Sequence, residues 1–258
     1  MAVTRGKMIG LMSAMTEEIE SILPELKNRT EEVHGKRTYF SGSLWGCDVV
    51  VTFSRWGKVA AAATTAVLIE RFGCDEIIFT GVAGGVSRDL NVGDVVVADR
   101  MVQHDMDARP IFGRHEIPLL GITEFLVEGG RRDELVKAAE LFLSGVDAGG
   151  LSALTTKDQR GKFGINVPKV VVGLAASGDK FFSNLDDLDR LRSEIPNVVC
   201  VEMEGAAVAQ VCHEYDVPFS LIRTISDSAN DNAHVDFQAF VKEIATVYSR
   251  GILKLVLS

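Results

Sequence analysis

One pattern recurs along this chain and limits its fold more than any other. Short apolar runs end in small or acidic clusters and pass into segments of helical periodicity. Residues 94–98 and 170–176 are nearly continuous apolar runs. They lack the alternation of a strand with one wet face and so read as strands covered on both faces. Strands of that kind, separated by helices, make an α/β fold. The same punctuation predicts strands over 8–14, 75–80, 197–201 and 218–225, and a hairpin of 39–44 with 48–54 that turns at Trp45-Gly46. Helices are predicted over 15–23, where Pro24 ends the run, and over 57–71, 131–143, 185–195, 205–215 and 237–257. The helix over 57–71 is rich in alanine and closed by Gly73, which suits tight packing on a sheet. Between 144 and 167, Gly, Lys and Asp interrupt every period and mark a loop or an insertion.

At 258 residues the chain suffices for one large domain, and neither a repeat nor a low-complexity linker divides it. Twenty-seven basic residues against 36 acidic ones leave a formal net charge of -9, so the average surface repels a polyanion. This argues against nucleic acid and against an anionic membrane surface as partners. No apolar run reaches the roughly 18 residues of a spanning helix. Residues 1–7 form a basic leader, and the apolar stretch after it is too short for a secretory signal. Cys47, Cys74, Cys200 and Cys212 form no CxxC pair and sit among apolar neighbours, as the core thiols of a cytoplasmic protein do. His34, His104, His115, His213 and His234 show no ligand spacing, so no metal is expected.

In α/β sheets ligands bind beyond the carboxyl ends of the strands, and acidic residues gather at three such ends. Glu17 and Glu18 follow the first strand, Glu202 and Glu204 follow the strand over 197–201, and Asp227 follows the strand over 218–225. Taken singly, Glu17, Glu18 and Glu204 fit first-turn acids that complement a helix dipole, and Asp227 fits a turn within Ser226-Asp227-Ser228. If their strands are neighbours, the carboxylates converge instead. Paired carboxyls with pKa values pushed apart are what cleavage of a glycosidic bond requires. The segment Gly81-Val82-Ala83-Gly84-Gly85 matches neither a dinucleotide nor a triphosphate motif, yet it lets backbone approach a ligand closely. Phe181, Phe182 and Phe237 lie beside polar clusters, where a ligand, a partner or the core must cover them. No serine or cysteine stands in a nucleophile elbow, which argues against a triad built on His104-Asp105.

The segments Ala14-Met15-Thr16-Glu17-Glu18, Trp56-Gly57-Lys58-Val59-Ala60-Ala61, Thr80-Gly81-Val82-Ala83-Gly84-Gly85, Val92-Gly93-Asp94, Ser177-Gly178-Asp179, Val201-Glu202-Met203-Glu204 and Ile225-Ser226-Asp227 occur in that order. From about residue 8 to the last helix, with 144–167 poorly matched, the chain resembles the 5'-methylthioadenosine/S-adenosylhomocysteine nucleosidases of the purine nucleoside phosphorylase superfamily. The resemblance implies a single three-layer α/β/α domain with a mixed, partly barrel-like central sheet. It implies no cofactor, and a homodimer in which a partner loop completes the pocket. The implied reaction is hydrolysis of the N-glycosidic bond of 5'-methylthioadenosine and S-adenosylhomocysteine, with 5'-deoxyadenosine and aminodeoxyfutalosine as related substrates. By position, Glu18 resembles the base that activates water and Asp227 the acid that protonates adenine at N7. Glu204 resembles the residue that binds the ribose hydroxyls, and Met203 the one packed beneath the sugar. Phe181 matches the residue stacked on adenine, while the backbone of Phe182 would read the purine edge. Ser226 resembles a support for the adenine end, and Arg223 a partner of the water or of Glu18. Phe237, with Phe112 and Pro118 from the other subunit, would line the 5' pocket, and Trp56, Ala83 and Gly84 complete the substrate-binding set.

A phosphorylase of this superfamily needs cations at the attacking face. Those places hold Thr16-Glu17-Glu18 and Phe79 here, which suits water over phosphate. A non-catalytic nucleoside-binding protein would have lost one of Glu18, Glu204 and Asp227, and all are present. Two departures stand out. Val82 replaces a serine that contacts the water in many members, which is expected to slow the reaction. Phe182 replaces a common aliphatic residue, which is expected to narrow the purine end.

Overall fold

The apolar runs pair into strands, and helices cover both faces of the sheet they form. The structure, a computed structural model, describes residues 6–145, 149–227 and 233–258. Residues 1–5 of the expected leader, residues 146–148 of the irregular stretch and Ser228 of the expected turn lie outside the described residues. In chain order the elements are β1 (Met8–Ser13), β2 (Lys27–His34), β3 (Arg37–Leu44), β4 (Cys47–Phe53), α1 (Lys58–Glu70), β5 (Glu76–Phe79), β6 (Val82–Gly85), β7 (Val95–Gln103) and β8 (Glu124–Leu126). They continue with α2 (Gly129–Ser144), α3 (Leu151–Leu154), α4 (Lys157–Lys162), β9 (Val170–Ser177), α5 (Leu185–Glu194), β10 (Val198–Glu202), α6 (Gly205–Glu214), β11 (Phe219–Asp227), α7 (Ala233–Phe240) and α8 (Thr246–Leu257).

Among the described residues the strands form one mixed sheet in the order β2-β3-β4-β1-β5-β11-β6-β10-β9-β7-β8. Strand β11 is its pivot. Phe219 to Leu221 run parallel to β5, the residues from Thr224 onward run parallel to β6, and Ile222, Arg223 and Thr224 pair antiparallel with β7. The last pairing closes β11, β6, β10, β9 and β7 into a ring, the partly barrel-like sheet that the resemblance implied. On one face, Ala61 and Leu68 of α1 and Ala206, Val208 and Ala209 of α6 share a core with Phe219 and Leu221. On the other, α2 and α8 bury Leu135, Phe142, Tyr248 and Ile252 against Val97 and Ile222. The three layers follow from strands apolar on both sides.

Several elements differ from expectation, each for a physical reason. The segment expected as a helix over 15–23 forms only short 3-10 turns, Thr16–Glu18 and Leu23–Glu25. Its apolar period comes from buried Ile19 and Ile22, three residues apart, which suits a 3-10 turn as well as an α-helix. Strand β2 carries no apolar signature in the sequence, because it is an exposed edge of mostly polar residues (KNRTEEVH) held to β3 by backbone bonds. The glycine-rich segment is itself a strand, β6, and not a loop. The irregular stretch holds α3 and α4, the latter capped by the Thr156 hydroxyl, which accepts from Gln159 N at 3.1 Å. The closing helix is divided by a wider turn over Val241–Ala245. The hairpin does turn at Trp45-Gly46, with φ of 48° and 96°. No described helix is long and apolar enough to cross a membrane.

Phe142 locks α2 to α8. Its fully buried ring meets Tyr248 edge-on at 5.2 Å and occupies the space beside Gly251, where a Cβ would lie 2.3 Å from the ring. Phe142→Ala is expected to lower unfolding stability by about 3–5 kcal/mol, read as a lower urea midpoint at unchanged slope. A loss below about 1 kcal/mol would remove Phe142 as that lock.

Candidate active site

The strands that carry the acidic residues are not adjacent. β5 lies between β1 and β11, and β6 lies between β11 and β10. The carboxylates still converge because β5 and β6 are only four residues long and join through Thr80-Gly81 beside the site. At Gly81 a Cβ would stand 2.5 Å from Glu18 Oε1, so the absence of a side chain there admits the carboxylate. Glu18 Oε1 accepts from Val82 N at 3.0 Å, and Oε2 accepts from Ala14 N and Met15 N, each at 3.0 Å. Glu18 is 1% exposed. Burial pushes its carboxyl up to about 7, against the opposing pull of the Arg223 charge and the three backbone bonds.

Ser226 and Asp227 belong to β11 itself, not to a turn beyond it. Adjacent strand residues normally face opposite sides of a sheet. Here the register with β6 shifts between Ile225 and Asp227, so that both Ser226 and Asp227 line one cavity. The Ser226 hydroxyl donates to Asp227 Oδ2 at 2.8 Å. Glu204 stands just before α6, and its Oε1 accepts from Gly57 N at 2.8 Å. Burial raises the Glu204 carboxyl, and the negative charge of Glu202 raises it further.

Met203, Ala83 and Gly84 line the same cavity, with Phe181 and Phe182 on one wall. Trp56 meets Phe237 edge-on at 5.9 Å, and Phe237 meets Phe181 edge-on at 5.7 Å. The inner cavity is narrow, with about 60 Å³ of free space, and adjoins a groove of about 720 Å³ past these three rings. Glu17 lies on that outer groove, as a first-turn acid would, and not on the inner cavity.

Three residues of the expected set do not line the cavity of this chain. Arg223 does not line the cavity and forms no bond to Glu18. Its fully buried guanidinium pairs with Glu202 at 2.7 Å and lies over the Phe79 ring at 4.1 Å, because the nearer carboxylate captures it. Phe112 and Pro118, expected to serve the pocket of a second copy, sit in the stretch between β7 and β8 and do not line the cavity of their own chain. The sequence reading also missed Lys180 and Val201 as lining residues, and Gly57 N as the donor to Glu204. Only the folded sheet brings Gly57 to Glu204. Among the described residues no group of His, Cys, Asp and Glu could hold a metal ion.

Residues 8–258 match the family model of the phosphorylase superfamily. A 5'-methylthioadenosine/S-adenosylhomocysteine nucleosidase of Anoxybacillus flavithermus is 36% identical over 250 residues, 97% of each chain. The solved structure of such a nucleosidase from Neisseria meningitidis, in complex with methylthio-immucillin-A, has a TM-score of 0.84 at 31% identity, covering 97% of this chain and 98% of that one. A futalosine hydrolase of Helicobacter pylori has a TM-score of 0.77 at 29% identity, covering 97% of each chain.

A carboxyl whose pKa rises on folding makes the folded chain hold a proton that the unfolded chain releases. Between the ordinary 4.5 and about 7, Glu18 therefore subtracts stability as pH rises. Glu18→Gln removes that dependence. Whatever its constant offset, the variant is expected to gain urea stability relative to the parent from about pH 5 to about pH 8. An unchanged difference across that range would mean that Glu18 titrates as an ordinary surface carboxylate.

Proposed function

The chain belongs to the phosphorylase superfamily, in its 5'-methylthioadenosine/S-adenosylhomocysteine nucleosidase branch, and on that premise we propose a reaction for its site. It hydrolyses the N-glycosidic bond of 5'-methylthioadenosine and S-adenosylhomocysteine to adenine and a 5-thioribose product, in methionine salvage and the recycling of S-adenosylmethionine by-products. The observation that carries this is the convergence of buried Glu18, Glu204 and Asp227 on one aromatic-walled cavity.

Adenine leaves poorly as an anion. Asp227, oriented by the Ser226 hydroxyl, delivers a proton to N7 as the bond to ribose lengthens. Glu18 takes a proton from the incoming water; a base near 7 is half ionised at neutral pH, where general-base transfer works best. Glu204 accepts from the ribose hydroxyls, and the ionised carboxylate of Glu18 stabilises the positive charge that develops on the sugar. Met203 packs beneath the ring, Phe181 stacks on the purine, and the Phe182 backbone reads its edge. Among the described residues Lys180 is the one cation lining the cavity, and it pairs with Asp187 at 2.5 Å. That leaves little to hold phosphate at the Glu18 face and supports water as the nucleophile.

The 5' substituent lies toward Trp56 and Phe237, and Phe112 and Pro118 of a second copy complete that wall in a homodimer. Ile111 and Leu119, 82% and 91% exposed beside them, suit such a contact. The whole chain acts as one nucleosidase domain in the cytoplasm, where its thiols stay reduced. Similarity to a futalosine hydrolase adds futalosine to the substrate panel.

Adenine release from 5'-methylthioadenosine is expected in phosphate-free buffer, with no dependence on added phosphate. Formation of a ribose 1-phosphate product would establish a phosphorylase instead. Asp227→Asn is expected to lower kcat about 10²- to 10⁴-fold with substrate still bound, and near-full activity would exclude Asp227 as the acid.

A further inference from the structure

We propose that Glu202 is a positioning residue of this reaction: from the cavity lining it holds the corner that carries Glu204 and sets the charge that Arg223 presents to Glu18 and Glu204. The inference rests on the nucleosidase reading above. Glu202 is the last residue of β10, and its side chain is 3% exposed. Both of its carboxylate oxygens accept from Gly205 N at 2.9 Å, and Oε2 also accepts from Glu204 N at 3.2 Å. Oε1 takes the Ser177 hydroxyl, whose oxygen in turn accepts from Ala206 N at 2.7 Å. The free amides at the start of α6 are thus satisfied by Glu202 and Ser177.

That arrangement frees Glu204. Standing at the N-terminal boundary of α6, it would ordinarily cap the helix with its own side chain, yet it makes no such bond. Its carboxylate instead meets Gly57 N at the cavity wall. Without Glu202, Glu204 would be drawn back onto the helix amides and away from the sugar.

The second task is electrostatic. Arg223 is 1% exposed, its Nη1 donates to the carbonyls of Phe79 and Ile222 at 3.3 Å each, and its Nε has no acceptor among the described residues. Among the described residues Glu202 is the one carboxylate within ion-pair distance of it. Neutralising Glu202 leaves a net positive charge buried beside the cavity, where low dielectric strengthens its reach. The titratable groups around the pair are Glu18 from the segment after β1, Glu204 before α6, Cys200 on β10, His104 after β7, and Asp227 four residues further along β11. Glu18 and Glu204, both raised by burial, feel Arg223 as an opposing charge, and Glu204 also feels Glu202 as a like one.

Glu202→Gln removes the charge, and Glu202→Asp keeps it while shortening the arm. For Glu202→Gln the acidic limb of kcat/KM against pH, with 5'-methylthioadenosine, is expected to move down by about one pH unit. For Glu202→Asp that limb stays in place while KM rises on the order of tenfold through a misplaced Glu204. Ser177→Ala gives a smaller rise in KM at an unmoved limb, and with the Asp variant it keeps the test open if the Gln variant does not fold. Carbon-13 carboxyl titration of Glu18 and Glu204 follows the same charge effect without turnover. Thermal destabilisation alone, with KM, pH limb and carboxyl titrations all as in the parent, would make Glu202 merely structural and overturn the proposal. A parent chain that releases no adenine would overturn the nucleosidase reading, and the carboxyl titrations would still decide this one.

Discussion

Strand β11 has to satisfy its backbone against three other strands, and the rest of the molecule follows from how it does so. Its first residues extend the open parallel sheet through β5, and its middle turns antiparallel to β7 and closes the ring. Its end pairs with the glycine-rich β6 through a shifted register. All nine of its residues are buried, so no length of it is free to adjust to solvent. The same strand carries Arg223, Ser226 and Asp227. The closure of the ring and the placement of Asp227 are therefore one structural event, and the shift at Ser226 is what turns two consecutive side chains toward one cavity.

Around that strand the protein buries several carboxylates within one small volume. Burial alone favours their protonated forms. The structure offsets this unequally. Glu18 receives three backbone N–H groups, Glu204 receives one, and Glu202 receives both backbone donors and the Arg223 ion pair. The gradient leaves Glu18 poised near neutral pH and reserves the strongest compensation for Glu202, the carboxylate paired with Arg223. Small residues make the gradient possible. Gly81 admits the Glu18 carboxylate, and Gly57 presents a bare amide to Glu204.

Much of this was legible before folding was considered. Runs apolar on both faces announced covered strands, and the small-residue helix α1 and the Trp45-Gly46 hairpin formed as their residues imply. What failed did so where local signals are degenerate. Ile19 and Ile22 fit an α-helix and a pair of 3-10 turns equally, since both bring residues three apart to one face. Edge strand β2 has no apolar face to reveal it. In the site, the acidic clusters were visible, but Glu202 and Glu204 looked alike in sequence. Only their partners separate them, one facing Arg223 and the helix amides, the other facing Gly57.

The sequence by itself determined the layered α/β class, because two-sided apolar strands have no other way to bury both faces. It also placed acidic residues after three strand ends, and the ordered motifs that resemble those of the nucleosidases are what tie that cluster to a nucleoside and water. Tertiary structure decided what each acid faces. The strands bearing them are not neighbours, and Glu18 meets Val82 only through the sheet order and the brevity of β5 and β6. Assignment of Arg223 to Glu202 likewise depends on distances across the closed ring. Pairing energies fall off with separation and rise with burial, and neither quantity exists until the chain has folded.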